Sequence, residues 1–129
     1  EIGWTRDVFR DLMKIRQSST LLRLKTADDI KARLKFLNTG SAQEPTVLAA
    51  VLDGAGYPGA NFQKLAYFVN VDKVAHTVGA NALKGQAFAL HPVHVAAGAG
   101  DKRAAQAVFD SATGTFSVPP RTAVVFVVN

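Results

Sequence analysis

The sequence contains no cysteine, which excludes disulfide bonds, thiol catalysis and cysteine-ligated zinc. Long hydrophobic runs are also missing. The longest, residues 47–52 and 123–128, have six residues each, whereas a membrane-spanning helix needs about 20. No segment is therefore predicted to cross a bilayer, and no membrane partner is expected.

Length and composition indicate one folded domain. The chain has 129 residues, of which 48% are apolar and 19% charged, and its mean hydropathy is +0.10. These values lie far from the low-hydropathy, high-charge composition of disordered chains. The first residues, Glu1-Ile2-Gly3-Trp4, contain neither an initiator methionine nor a signal peptide. We expect the chain to be a piece of a longer protein. The compartment stays open, with an extracellular or periplasmic location favoured over an intracellular one.

The positive charge is concentrated in the first third of the chain. The net charge is +5, and residues 1–37 hold nine of the 15 Lys and Arg against five of the ten acids. In that region Arg6, Arg10 and Lys14 alternate with Asp7 and Asp11 at helical spacing. This spacing favours a solvated, self-paired helix face over a phosphate-binding one. No nucleic-acid partner is expected.

Residues 5–18 predict an α-helix with Thr5 as the N-cap and Trp4 as a hydrophobic staple. The apolar side chains span an arc of about 160°, which also contains Arg16, whereas a helix on a small domain needs about 100°. These apolar residues are Val8, Phe9, Leu12, Met13 and Ile15. Two explanations stay open. Either the helix contacts a second body, which would leave Phe9, Leu12 and Met13 exposed here, or it lies deep in its own domain.

The remainder of the chain is predicted to be mainly β. Thr26 and Asp29 resemble a capping box for a short helix that reaches Ala32. Strands are predicted at residues 33–37, 47–52, 65–71, 75–78, 86–90, 105–109, 115–118 and 122–128. The clearest hairpin lies at residues 109–116. Turn-forming residues separate the strands at the spacing of a β-sandwich. We predict an antiparallel, Greek-key-like β-sandwich of about seven to eight strands, preceded by an α-helix.

Two motifs suggest ligand binding but have simpler explanations. Residues 54–59 match GxGxxG, yet the next strand begins near Lys64, so the helix that must follow a dinucleotide-binding loop has no room. His91 and His94 are three residues apart, and on a strand they would point to opposite faces unless Pro92 bends the chain. Structural histidines are therefore favoured over a metal site, and His76 is isolated in sequence.

The acidic residues show no catalytic pattern. Glycoside hydrolysis needs two carboxyl groups about 5 to 10 Å apart, and no pair shares a predicted strand face. The acids beside strand ends, where Asp usually closes a turn, are Asp53, Asp72, Asp101 and Asp110. Asp28 and Asp29 fit helix capping better than calcium binding. No Gly-x-Ser-x-Gly elbow is present. We predict no catalytic, cofactor-binding or metal-binding residue.

Aromatic side chains offer a second hypothesis, in which the sandwich binds sugars. Trp4, Tyr57 and Tyr67 are candidates for stacking on glucan rings, with Tyr57 in the glycine-rich loop the foremost. The phenylalanines fit a hydrophobic core. A carbohydrate-binding role therefore stays open as the alternative.

Several stretches together resemble pullulanase-type α-1,6-glucosidases, glycoside hydrolases of the α-amylase superfamily. Residues 7–12, 15–19, 22–24 and 26–29 resemble the end of the catalytic barrel and its connector. Residues 36–40, 53–54, 89–93 and 114–127 resemble the C-terminal β-domain of bacterial pullulanases and plant limit dextrinases. The chain departs from that pattern at Leu37, where a His is expected, and at Thr20, where Pro is usual.

The resemblance implies the following organisation. Residues 1–25 would be the last helix of a catalytic barrel plus a connector, and residues 26–129 the C-terminal β-sandwich. The longer protein would cleave α-1,6 bonds of starch, glycogen or pullulan, while this part, which matches none of the catalytic motifs, would cover and stabilise the barrel. The expected barrel-facing residues are Val8, Phe9, Leu12, Met13 and Arg16. The expected partners are that barrel and, in the alternative, α-glucan, and no cofactor is implied.

Overall fold

Two antiparallel sheets and an N-terminal helix make up the computed structural model, which describes all 129 residues. The helices are α1 (Ile2–Ser18), α2 (Ala27–Arg33) and α3 (Pro92–Val95). The strands are β1 (Leu34–Leu37), β2 (Val47–Asp53), β3 (Lys64–Asn70), β4 (His76–Gly79), β5 (Ala89–Leu90), β6 (Val108–Asp110), β7 (Thr115–Val118) and β8 (Thr122–Val128). Short 3-10 turns lie at Thr20–Arg23, Asn81–Leu83 and Ala104–Gln106. None of the helices has the length and hydropathy of a membrane span.

The sheets pack face to face as a sandwich. One sheet has the strand order β1-β2-β3-β8-β5 and the other β4-β7-β6. After β3 the chain alternates between the sheets, with β4 in the second, β5 in the first, and β6 and β7 in the second. It ends with β8 in the first sheet, which pairs with β3 on one side and β5 on the other. All strand pairs are antiparallel. The predicted fold, a mainly β sandwich with an N-terminal helix, is confirmed.

Phenylalanines fill the space between the sheets. Phe68 and Phe116 are tilted against each other with ring centroids 4.5 Å apart, and Phe126 meets Phe116 at 5.1 Å in an edge-to-face arrangement. On β7 the alternation of Phe116 and Val118 with exposed Ser117 turns one face of the strand to the core. The main core therefore follows from the period-two pattern of the strands.

The five-stranded sheet is apolar on its outer face as well. Leu65 on β3 and Val127 on β8 pair across the strands and are buried beneath Ile15 and Leu21. The N-terminal segment is thus the outer layer of the molecule. Coverage of both faces explains why β8 is almost continuously apolar, since a strand buried on both sides does not alternate.

The start of the first helix differs from the prediction. It begins at Ile2 with Glu1 as N-cap, so the prediction of Thr5 as N-cap and Trp4 as staple is wrong. The Thr5 hydroxyl donates instead to the Glu1 carbonyl at 3.0 Å, as an interior helical threonine does. The second helix is confirmed, because the Thr26 hydroxyl accepts from the Asp29 amide at 3.1 Å.

Two predicted strands are shorter than expected. Of residues 86–90, only Ala89 and Leu90 pair with β8, while residues 105–109 begin with a 3-10 turn and become β-strand at Val108. Both segments lie at sheet edges, and Phe88 and Ala107 are buried there without ladder pairing. The residues at these positions are apolar because they pack into the core, and not because they pair in a strand. The hairpin at residues 109–116 is confirmed as β6–β7.

Candidate functional site

The apolar arc of α1 is divided between the sandwich and solvent. Ile15 is its one fully buried residue, and Val8 is half-buried. Phe9 is 64% exposed, and Leu12 and Met13 are each 37% exposed. Ile2 and Trp4 add to this exposed surface. The α1 outer face, as we call Phe9, Leu12 and Met13, is thus only partly covered by the rest of the chain, and its contact with a barrel stays a prediction.

Arg16 is also exposed on α1, and its guanidinium makes no hydrogen bond or ion pair with another residue of the chain. A guanidinium beside apolar surface suits a partner that supplies a carboxylate or backbone carbonyls. Its role at a barrel interface stays a prediction.

A second apolar surface lies where the connector crosses the five-stranded sheet. Its groove has a volume of about 360 Å³ and only hydrophobic lining. The residues that line it are Leu21, Leu22, Leu24, Ile30, Leu34, Leu52 and Tyr67. Beside it, Phe36 and Leu48 are exposed on the outer face of the sheet. Sequence reasoning missed this groove, although alternation of Leu22 and Leu24 with charged residues was a usable signal.

The three sugar-stacking candidates each pack against other protein groups, and Tyr57 and Tyr67 share one of the two core clusters. The Arg103 guanidinium carbon is 5.5 Å from the Trp4 ring centroid, and the Arg33 carbon lies 4.7 Å above the Tyr57 ring. Tyr67 lines the apolar groove, and burial raises the pKa of its hydroxyl. Trp4 and Tyr57 each have a protein cation at one ring face, and the three rings form no common platform.

His91 and His94 belong to a short helix and its N-cap, and not to a strand, which is the geometry that the sequence analysis considered. Pro92 occupies the first turn of α3, where a missing amide hydrogen is no loss, and His91 is the N-cap. Positions three apart lie on one side of a helix, and both imidazoles are buried, with 3% and 6% exposure. Their ring centroids are 6.5 Å apart.

Three of the four ring nitrogens of this pair have a hydrogen-bond partner within the protein. His91 Nδ1 accepts from the Val93 amide at 3.1 Å, and His91 Nε2 lies 2.8 Å from the Ser18 hydroxyl oxygen. His94 Nε2 accepts from the Val125 amide of β8 at 2.9 Å. No three His, Asp or Glu side chains of the chain converge as metal ligands. The histidines thus connect α1, α3 and β8.

The predicted turn-closing Asp side chains form turns, although Asp101 lies between α3 and a 3-10 turn and not beside a strand as predicted. Asp53, Asp101 and Asp110 each accept, at 3.0 Å, from the amide two residues ahead. Asp72 accepts from the Lys73 amide at 2.7 Å and bonds to His76, and the His76 bond holds its pKa below the usual range. Asp101 also accepts from Arg103 Nε at 3.2 Å, so these carboxylates are bonded to backbone amides, a histidine and an arginine within their own loops.

The glycine-rich segment 54–59 is a loop that leads into β3 without an intervening helix. A Cβ at Gly54 would overlap the Phe62 carbonyl oxygen, and Gly56 has a φ of +72°. The glycines therefore serve close backbone approach and a left-handed turn.

Comparison with known proteins identifies the family of the chain. The family model for the C-terminal region of pullulanase-type α-1,6-glucosidases matches residues 1–129. Pullulanase 1 of Arabidopsis thaliana chloroplasts is 36% identical over 126 residues, which cover 92% of this chain and 13% of that protein.

Solved structures show the same fold. PulA from Klebsiella oxytoca superposes with a TM-score of 0.81 at 24% identity, over 98% of this chain and 12% of that one. Apo pullulanase from Klebsiella pneumoniae gives 0.82 at 22% identity, over 98% and 14%. The chain spans about an eighth of the length of these relatives. The chain belongs to the C-terminal domain family of pullulanase-type α-1,6-glucosidases.

Proposed function

We propose that this chain is the non-catalytic C-terminal sandwich of a pullulanase-type debranching enzyme, and that it packs on and stabilises the catalytic barrel. The longer protein would hydrolyse α-1,6-glucosidic bonds of starch, glycogen or pullulan. The observation that carries the barrel contact is the α1 outer face, where the rest of the chain leaves Phe9 64% exposed and Leu12 and Met13 each 37% exposed. Exposed contiguous apolar surface of this kind commonly marks an interface.

The length of the relatives supports the catalytic barrel as the partner of the α1 outer face. The chain matches 12 to 14% of each relative's length, so most of each relative lies outside the matched part. Burial of Phe9 against that part would contribute about 1.5 to 3 kcal/mol. The expected stabilisation is thus large enough to measure.

The test is a pair of substitutions, Phe9→Ser and Leu12→Ser, made together in the longer protein that contains this chain. We expect its thermal inactivation temperature to fall by several degrees, because the interface loses apolar burial. The same pair should lower the unfolding temperature of the 129-residue chain by less, since Phe9 is 64% exposed there and Leu12 37%.

Val108→Ser is the matched control, since Val108 is an exposed apolar residue on β6, in the other sheet. This substitution should leave the thermal inactivation temperature of the longer protein unchanged. If the α1 pair and the control lower the inactivation temperature equally, the barrel contact through α1 is wrong.

Lack of catalysis is tested directly on the 129-residue chain with pullulan as substrate. We expect no release of reducing ends above a buffer blank. The carboxylates of Asp53, Asp101 and Asp110 bond within their own turns, whereas hydrolysis requires an acid and a nucleophile flanking the bond. Measurable cleavage that follows the purified chain would refute the proposal.

The carbohydrate-binding alternative is tested by titrating the same chain with maltotriose while recording backbone NMR shifts. One solved relative is a maltotriose complex of PulA from Klebsiella pneumoniae. We expect no saturable shifts near Trp4, Tyr57 or Tyr67, because protein groups already pack against these rings. Saturable shifts at any of the three would favour the glucan-binding role.

A further inference from the structure

We propose that a cleft at one edge of the sandwich binds a small amphiphilic anion, an alkyl chain that carries one carboxylate. The cleft lies between β1 and the 3-10 turn Asn81–Leu83 and has a volume of about 400 Å³, which is in the range of small-molecule sites. We call it the basic cleft, and its charged residues are Lys31, Arg33, Lys35, Asp53 and Lys64. It goes beyond the barrel proposal, because no residue of α1 lines it.

Charged side chains occupy core-facing positions on three neighbouring strands. Lys35 lies on the same face of β1 as Leu37, and Asp53 on the same face of β2 as Val51. This is the inner face, since Leu37 and Val51 pack against the inter-sheet core. Lys64 of β3 is the direct cross-strand partner of Asp53 and shares its face. Charged residues rarely point into a core, and these three line an open cleft instead.

The basic cleft lies beyond the edge of the smaller sheet. None of its lining residues belongs to β4, β6 or β7, and the 3-10 turn that follows β4 forms the opposite wall. Ala80 and Leu83 are buried members of the inter-sheet core and line the cleft together with Leu37 and Val51. The charged mouth therefore opens onto an apolar floor.

The lining of the basic cleft is strongly positive. Four of its residues are cations and one is an anion, a difference of three positive charges. None of Lys31, Lys35 and Lys64 forms an ion pair within the chain. A concave surface lined by charges of one sign raises the local concentration of the opposite ion. The head group of the ligand is therefore an anion.

The protein itself holds the other two charged groups of the cleft. Arg33 Nη1 donates to the carbonyls of Asp53 and Ala55 at 3.0 and 2.9 Å. The Arg33 guanidinium carbon also lies 4.7 Å from the centroid of the Tyr57 ring. Asp53 Oδ1 accepts from the Ala55 amide at 3.0 Å. The three lysines are thus the groups that can bond to the carboxylate of a ligand.

The rest of the lining favours an alkyl chain over a sugar or a nucleotide. No aromatic ring lines the cleft, whereas flat sugar rings and bases commonly stack on aromatic side chains. Asn81 is its single uncharged polar residue, so a ligand with many hydroxyl groups would leave most of them without partners. An alkyl chain needs no hydrogen bond from the floor.

The experiment is a titration of the 129-residue chain with sodium octanoate, below the concentration at which it forms micelles, followed by methyl NMR. We expect saturable shifts at Val51 and Leu83, with nuclear Overhauser effects between their methyl groups and the alkyl chain. Effects at Leu22 and Leu24 instead would place octanoate in the apolar groove and overturn the proposal.

Two other ligands separate the contributions of charge and chain. Octyltrimethylammonium has the alkyl chain with a positive charge, and acetate has the carboxylate without the chain. Neither should give saturable shifts at Val51 and Leu83 over the concentrations at which octanoate does. Saturation by octyltrimethylammonium would refute the role of the lysines, and saturation by acetate would refute the role of the floor.

The length of the alkyl chain tests the apolar floor. Full burial of one methylene strengthens binding by about fourfold, so octanoate should bind roughly tenfold more tightly than hexanoate. Equal affinities would show that the floor does not hold the chain.

Substitutions test the mouth of the cleft. Lys35→Gln and Lys64→Gln each remove one cation and should weaken octanoate binding by roughly threefold to tenfold. Lys73→Gln is the matched control, since Lys73 is exposed and lies outside the cleft, and it should leave the affinity unchanged. Equal effects of the control and the cleft variants would refute the site.

Ala82→Phe tests the cleft without a change of charge. Ala82 is exposed and lines the cleft, so the larger ring should occupy the space of the alkyl chain and abolish saturable binding. Circular dichroism should show an unchanged fold. Octanoate binding that persists in the folded variant would contradict the proposed position of the chain.

Anionic lipids present the same chemistry on a membrane, and cosedimentation with phosphatidylserine vesicles tests that source. We expect the chain to stay in the supernatant, because the apolar floor lies inside a cleft. Binding to vesicles without binding to free octanoate would overturn the proposal. None of these results involves the α1 outer face, so failure of the cleft leaves the barrel proposal to its own test.

Discussion

Phe116 and Phe9 are the same residue type in opposite environments. Phe116 is completely buried and contacts the rings of Phe68, Phe109 and Phe126 with centroids 4.4 to 5.1 Å apart. Phe9 projects from α1 into solvent. Composition does not distinguish the two residues. The contribution of each ring to the free energy of unfolding depends on its neighbours in the fold.

This difference predicts the effect of truncating each ring in the 129-residue chain. Phe116→Ala should lower the free energy of unfolding by about 3 to 5 kcal/mol, because it leaves a cavity in the inter-sheet core. Phe9→Ala should change it by less than about 0.5 kcal/mol. Urea denaturation followed by circular dichroism measures both. Equal losses would mean that Phe9 is covered within the chain.

Gly54 and Gly56 predict a second contrast between like residues. Gly54→Ala forces a methyl group onto the Phe62 carbonyl oxygen, with Leu21 and Ala60 also close, so the backbone must shift. Gly56→Ala meets no atom within 4 Å and bears only the strain of its positive φ, roughly 1 kcal/mol. We expect the larger loss of unfolding free energy at Gly54. A larger loss at Gly56 would contradict the close approach.

At the scale of elements, the connection between β3 and β4 is held by side chains and not by regular structure. Asn70 is buried and donates to the carbonyls of Val74, Val118 and Pro119. Asp72 and Glu44 both reach His76. The connection therefore joins both sheets and the loop before β2.

This arrangement predicts a pH effect at Asp72. The His76 hydrogen bond is the largest cause of its lowered pKa. The favourable contribution of Asp72 is therefore present above about pH 4 and is lost as the pH falls through the lowered pKa. His76→Ala should raise the pKa of Asp72 toward its usual value, measured by carboxyl-carbon NMR. H91N should not alter it, and an unchanged pKa in H76A would exclude His76 as the cause.

The accuracy of the predicted elements depended on how they are stabilised. Central strands such as β2 and β8 were located nearly to the residue, since burial and pairing coincide there. The edge segments at 86–90 and 105–109 were overextended because their apolar residues pack into the core without pairing. The start of α1 was misplaced because Thr5 bonds back to a carbonyl as an interior residue.

At the scale of the whole molecule, three layers are stacked. The three-stranded sheet and the five-stranded sheet enclose the main core, and the N-terminal segment covers the outer face of the larger sheet through Ile15 and Leu21. The division at residues 25 and 26 stays a prediction. Leu21 of the proposed connector is nonetheless part of the second core cluster.

The open apolar surfaces predict the behaviour of the isolated chain. It should bind the dye ANS at neutral pH without unfolding, because the α1 outer face and the apolar groove are accessible. Phe9→Ser with Met13→Ser should reduce the fluorescence, whereas Val108→Ser should not. Fluorescence that all three substitutions leave unchanged would locate the binding elsewhere.

The β-sandwich, the capped second helix, the turn-closing aspartates and the family were all predictable from the amino-acid sequence, because they depend on local spacing and on the types of residue at particular positions. Tertiary structure alone decided which part of α1 stays exposed, where the connector forms a groove, and that His91 and His94 join α1 to the sandwich. Those features arise from residues far apart in the chain, such as Ser18 and His91. Their proximity depends on how the layers pack, which no local pattern encodes.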